Sequence, residues 1–124
     1  MRSSRLAASA ASLLLAANGF ATLVGYWNFD EGGGTSLTDH SGYGHAGWLV
    51  NEQPNTWMIG PSSGALYFDG TVGPTCTRVE IGDSLLLRLS NSVTFAAWIR
   101  CDNIYRDAPI LAKEGPGGAL SYWF

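Results

Sequence analysis

GALYFDGTVGPTCTRVEIG, residues 64–82, is the stretch whose reading decides the fold. Leu66 and Phe68 alternate with Ala65, Tyr67 and Asp69, and Val79 and Ile81 alternate with Arg78 and Glu80. A period of two sends alternate side chains to opposite faces of a sheet. Between the two alternating runs, Gly70, Gly73 and Pro74 supply the backbone freedom and the fixed φ of a loop. Two short strands are predicted, each burying one face and wetting the other, as antiparallel sheets do when packed on a second sheet.

Outward from this stretch the same pattern recurs. Residues 23–29, 46–50, 93–100, 109–113 and 119–124 read as further strands. In 93–100 the alternation Val93, Phe95, Ala97, Ile99 leaves both faces largely apolar, which predicts a central strand. Residues 35–38 read as a short irregular link, and 51–63 as loop, marked by Pro54, Asn55, Gly60 and Pro61. Leu85-Leu86-Leu87 fits a short helical turn or an extended segment equally well. No stretch of ten residues beyond the first 21 has a clean 3.6 period, so the class is all-β.

Composition agrees. Among 124 residues there are 16 Gly, 5 Trp, 5 Tyr and 5 Phe, which fits many strands joined by glycine-rich turns. Seven Lys plus Arg stand against ten Asp plus Glu, a net charge of −3 with no basic stripe, which excludes an electrostatic footprint for nucleic acid. Residues 1–21 differ in kind: Arg2 and Arg5 precede an Ala/Leu-rich run, and Gly19-Phe20-Ala21 offers small residues for cleavage. Ser9, Ser12, Asn18 and Gly19 dilute the run below what a membrane span requires, so a cleaved signal peptide is predicted, with the mature chain starting near Thr22. The expected location is secreted, extracellular or periplasmic, with no membrane span after cleavage. In such a compartment Cys76 and Cys101 can pair, or remain two separate buried thiols.

The segments GYWNFDEGGGTSLTDHSGYGHAGWL, SGALYFDG, TRVEIGDS and SVTFAAWIR together resemble the laminin-G-like, concanavalin A-like jelly-roll domains of bacterial secreted proteins. The similarity runs in order from Val24 to about Lys113 and implies an antiparallel jelly-roll β-sandwich over residues 22–124. Only about 103 residues and roughly seven short strands follow the cleavage point, against at least eight strands in a jelly roll. The chain also stops inside an apolar strand, so the expectation is a C-terminally truncated, incomplete sandwich whose remaining strands or further domains lie in a longer protein. The resemblance also implies a non-catalytic module that binds an extracellular glycan or protein. Two other readings remain open, an accessory domain or degenerate member of a glycan-degrading hydrolase, and a purely structural adhesion module.

Residue chemistry favours binding over catalysis. Related glucan-cleaving enzymes carry Glu-x-Asp-x-x-Glu on one strand, and Glu80-Ile81-Gly82-Asp83 has neither that spacing nor a third acid. Asp30 and Glu31 are adjacent, so on a strand they face opposite ways. His40, Ser41 and His45 flank a glycine loop without an evident third catalytic group, and Asp39 is expected to bond the loop backbone. No enzyme activity is expected. The aromatics in or beside loops, Tyr43, Trp48, Trp57 and Tyr105, are the candidate ligand platforms, because a flat ring is a rigid apolar surface. Trp27 and Trp98 read as core. One structural calcium ion is implied by the resemblance, with Asp30 and Asp69 its first candidate ligands, and turn capping is the alternative role for both.

Overall fold

The computed structural model describes residues 21–71, 73–89, 92–102, 109–115 and 120–124. Seven strands follow in order: β1 (Ser36–Leu37), β2 (Gly47–Val50), β3 (Trp57–Ile59), β4 (Gly64–Leu66), β5 (Arg78–Ile81), β6 (Ala112–Glu114) and β7 (Leu120–Trp123). A single 3₁₀ turn, Leu85–Leu87, is the one helical element among the described residues. The protein is all-β, and every ladder is antiparallel: β1-β2-β5, β3-β4 and β6-β7.

The three-stranded sheet carries the core. Leu37 pairs with Gly47 and Gly47 with Ile81, while Leu49 pairs with Val79, so these five residues share one face. Leu37 is 0% exposed and Leu49 5%, the two large apolar side chains that are buried among the described residues. Gly47 lies between Leu37 and Val79, and a Cβ there would stand 3.1 Å from Val79 Cγ1. Its missing side chain lets the flanking strands fill that space. Thr56 is the other deeply buried residue, and its polar groups are satisfied: its amide donates to the Gln53 carbonyl (2.9 Å), its carbonyl accepts from Tyr67 N–H (2.7 Å), and its hydroxyl accepts from Gln53 N–H (2.8 Å).

Several expected elements are different in the structure. Residues 23–29 form no strand, because the neighbouring glycine loop takes up their polar groups. Tyr26 N–H donates to Asp39 Oδ1 (3.0 Å), the Tyr26 carbonyl accepts from His40 N–H (2.7 Å), and Trp27 Nε1–H donates to the His45 carbonyl (2.9 Å). Phe29 then turns the chain at φ 59°, a left-handed conformation that ends any extended run. Residues 92–100 also join no ladder among the described residues. Trp98, expected in the core, is 96% exposed, and Phe95 instead meets Tyr122 (centroids 5.3 Å apart) and Phe124 (5.7 Å). Conversely, the expected link at 35–38 contains β1, and the expected loop at 51–63 contains β3. The three leucines resolve as the 3₁₀ turn, with Ser84 at its start accepting from Leu86 N–H (3.3 Å).

Candidate ligand-binding face

Face alternation in the three-stranded sheet decides where its aromatic side chain goes. With Gly47 and Leu49 turned to the core, Trp48 and Val50 point to the other face. The register places Ser36 and Glu80 directly on either side of Trp48, and Arg78 opposite Val50. The indole is 51% exposed on a face it shares with Ser36, Val50, Arg78 and Glu80. Arg78 and Glu80, two residues apart on β5, share the face and form an ion pair: Arg78 Nε donates to Glu80 Oε1 at 2.7 Å and Nη2 at 2.6 Å. That carboxylate, together with the nearby Cys76, raises the Arg78 guanidinium above its ordinary value. Glu80 Oε2 and the Ser36 hydroxyl have no hydrogen-bond partner among the described residues. The result is an apolar ring with an open polar group on each side, on a surface whose one cation and one anion cancel.

The other expected platforms are dispersed. Tyr43 is exposed in the glycine loop and stacks on His45, with centroids 6.3 Å apart. Trp57 is half-buried on β3, and its Nε1–H donates to the Gly34 carbonyl at 2.9 Å. Tyr105 lies outside the described residues. Trp48 is thus the candidate aromatic that combines exposure with polar neighbours on a regular surface.

The glycine loop is organised by Asp39, whose side chain is 1% exposed. Its Oδ1 accepts from Tyr26 N–H (3.0 Å) and Ser41 N–H (2.8 Å), and its Oδ2 from the Ser41 hydroxyl (2.8 Å) and His45 N–H (2.8 Å). Burial pushes this carboxyl up, but the four hydrogen bonds outweigh burial and hold it well below the usual carboxylate range. His45 continues the network. Its Nδ1 lies 2.8 Å from the Val24 carbonyl oxygen and 3.5 Å from Asp39 Oδ2, and its Nε2 lies 3.0 Å from Ser84 Oγ. Asp39, His45 and Ser84 therefore stand in line, but the short Nδ1 contact is to the backbone carbonyl, and Ser84 Oγ is also the cap of the 3₁₀ turn. The array staples the N-terminal segment, the glycine loop and the 3₁₀ turn to one another.

Comparison with known protein families, curated proteins and solved structures returns no match.

Two clefts lie elsewhere on the surface of the described residues. One, of about 230 Å³, is lined by Asn28, Asp30, Glu31, Thr38 and His40. Most of its polar groups serve the chain itself: Asp30 Oδ1 accepts from Gly64 N–H (3.0 Å), Asp30 Oδ2 from Asn28 Nδ2 (2.9 Å), and Glu31 Oε1 from Thr38 N–H (2.7 Å). The second, of about 440 Å³, is bordered by Asp83, Arg88 and Lys113, with Asp83 bridging the two cations and held well below the usual carboxylate range by them.

Asp30 and Asp69, the expected calcium ligands, both accept hydrogen bonds from neighbouring groups. The Ser63 hydroxyl and Gly64 N–H lower the Asp30 pKa, and Asp69 caps its own turn through Thr71 N–H (3.0 Å) and Thr71 Oγ1 (2.6 Å). Among the described residues no three His, Cys, Asp or Glu side chains gather as a metal-ligand group. No disulfide links Cys76 to Cys101: Cys76 is half-buried, its Sγ 3.8 Å from Arg78 Nη1, and Cys101 is exposed. No helix among the described residues is long and apolar enough to cross a membrane.

Proposed function

We propose that this chain is a secreted, non-catalytic recognition module of the laminin-G-like jelly-roll type, and that it binds extracellular glycan through the Trp48 face. The observation that carries the proposal is the placement of Trp48: a half-exposed indole at the centre of a sheet face, with Ser36 on one side and Glu80 on the other. Sugar rings present C–H faces that stack on aromatic rings, while their hydroxyls need donors and acceptors at the ring edge. Covering the exposed half of an indole removes on the order of 100 Å² of apolar surface from water, worth about 2 kcal/mol. Export is supported by the charged start, the apolar run and the small residues at 19–21.

The test is a glycan panel titrated against the protein and against Trp48→Ala. Binding weakened roughly 30-fold by the substitution, the equivalent of about 2 kcal/mol, is the expected result. Failure of every glycan to bind the unaltered protein would overturn the proposal.

A protein partner is the second reading, and residues 92–100 favour it. Their backbone joins no ladder among the described residues, and Val93, Trp98 and Ile99 are exposed. A segment outside every ladder among the described residues, with apolar side chains exposed, is suited to pairing with a strand from another chain.

A further inference from the structure

We infer that the Trp48 face selects neutral, extended glycan chains whose pyranose rings carry equatorial substituents and β-1,4-linkages, an assignment that rests on the glycan proposal above and narrows it to one ligand class. Three properties of the face point there. The first is shape. Trp48 sits on the middle strand of three, on an open sheet face about 10 Å across by the usual strand spacing, rather than inside a pocket. An open face of that kind accommodates a ribbon lying along it, and β-1,4-linked chains of equatorially substituted pyranoses are extended ribbons. Chains with α-linkages coil, and present a curved edge that one indole cannot follow.

The second is the ring itself. A pyranose with every hydroxyl equatorial exposes uninterrupted C–H faces, which match the apolar face of the indole. An axial hydroxyl would put a polar group against the ring with no protein partner, leaving it desolvated without a hydrogen bond. In an all-equatorial sugar the hydroxyls radiate in the ring plane instead. There they meet the Ser36 hydroxyl on one flank and Glu80 Oε2 on the other, both open, with cross-strand neighbours about 5 Å from Trp48.

The third is charge. Arg78 is the cation on this face, and it is already paired with Glu80 through two nitrogens while Nη1 turns to the Cys76 carbonyl oxygen (3.4 Å). An anionic sugar would have to displace Glu80 and then meet its carboxylate. A neutral sugar leaves the ion pair intact and uses its free oxygen as an acceptor.

The experiment is calorimetric titration of the protein with cellohexaose, xylohexaose, maltohexaose and oligogalacturonate, repeated on Trp48→Ala and Trp48→Tyr. Cellohexaose and xylohexaose should bind at least ten-fold more tightly than the other two. Trp48→Ala should abolish that preference, and Trp48→Tyr, which keeps a flat ring, should retain it. If maltohexaose or oligogalacturonate binds as tightly as cellohexaose, this assignment is wrong while glycan recognition stands. If a Trp48-dependent preference appears for an axial or anionic sugar, the assignment is likewise wrong. If none of the four binds but other glycans in the wider panel do, the assignment fails alone; if nothing in either set binds, both fail together.

Discussion

Replacing Asp39 tests how far one carboxylate holds the glycine loop together. Its two oxygens accept four hydrogen bonds, three from backbone amides at Tyr26, Ser41 and His45 and one from the Ser41 hydroxyl. A hydrogen bond to a charged group contributes about 1.5 kcal/mol or more, so four amount to roughly 6 kcal/mol before any water returns. Tyr26, Gly42, Tyr43 and Gly44 are exposed, and water reaching the freed amides through them offsets about half. Asp39→Ala is therefore expected to destabilise the protein by about 3 kcal/mol. Asp39→Asn keeps an oxygen for the Tyr26 and Ser41 amides but turns an NH₂ toward His45 N–H, a clash of donors. Its expected cost is about half, roughly 1.5 kcal/mol. Urea unfolding monitored by tryptophan fluorescence gives the free energies, and amide exchange at Tyr26, Ser41 and His45 locates the damage. Both variants lying within about 0.5 kcal/mol of the parent, with unchanged exchange at those amides, would refute the role given to Asp39.

Two further expectations follow from the same geometry. Asp39 has its folded pKa lowered, so the stability it confers is present above the unfolded carboxylate value of about 3.9 and is lost as pH falls through the folded value. The urea midpoint should stay level between about pH 5 and 7 and drop below about pH 4. Asp39→Asn should remove the part of that drop that Asp39 contributes, leaving the part that Asp83 and the other lowered carboxylates contribute, and an acid profile as steep as the parent's would count against the assignment. Gly64→Ala probes the approach of β4 to the N-terminal segment, since a Cβ there would stand 1.8 Å from the Phe29 carbonyl oxygen. It should destabilise by about 3 kcal/mol and expose the Gly64 amide, now bonded to Asp30, to exchange; an unchanged urea midpoint would contradict the packing described.

The elements legible in the sequence are those whose pattern and pairing agree. Residues 77–81 alternate apolar and polar side chains, residues 46–50 are an apolar run between loops, and the two meet as β2 and β5. The hairpin of β6 and β7 falls where two apolar runs flank a glycine-rich stretch. Other segments turn on partners that a linear reading does not contain. Residues 23–29 read as a strand as readily as β2 does, yet the Tyr26 N–H and carbonyl are taken by Asp39 and His40. Residues 92–100 have the strongest strand pattern in the chain and no neighbouring strand among the described residues, so Trp98 stands in solvent. Turn residues around Trp57–Ile59 hid a strand of three residues that exists because β4 lies beside it. Trp48 was recognisable as a candidate from its aromatic ring beside a predicted loop. Its outward direction follows from the alternation with Leu49, but Ser36, Arg78 and Glu80 join it only through the register of β1 and β5, a non-local fact.

The most direct test of glycan recognition at the Trp48 face is to map a bound oligosaccharide by nuclear magnetic resonance. Titrating ¹⁵N-labelled protein with cellohexaose should shift the Trp48 indole N–H and the amides of Ser36, Arg78 and Glu80, while the amides of Asn28, Glu31 and His40 stay in place. Shifts confined to the Asn28–His40 cleft, or a spectrum unchanged at saturating sugar, would contradict it.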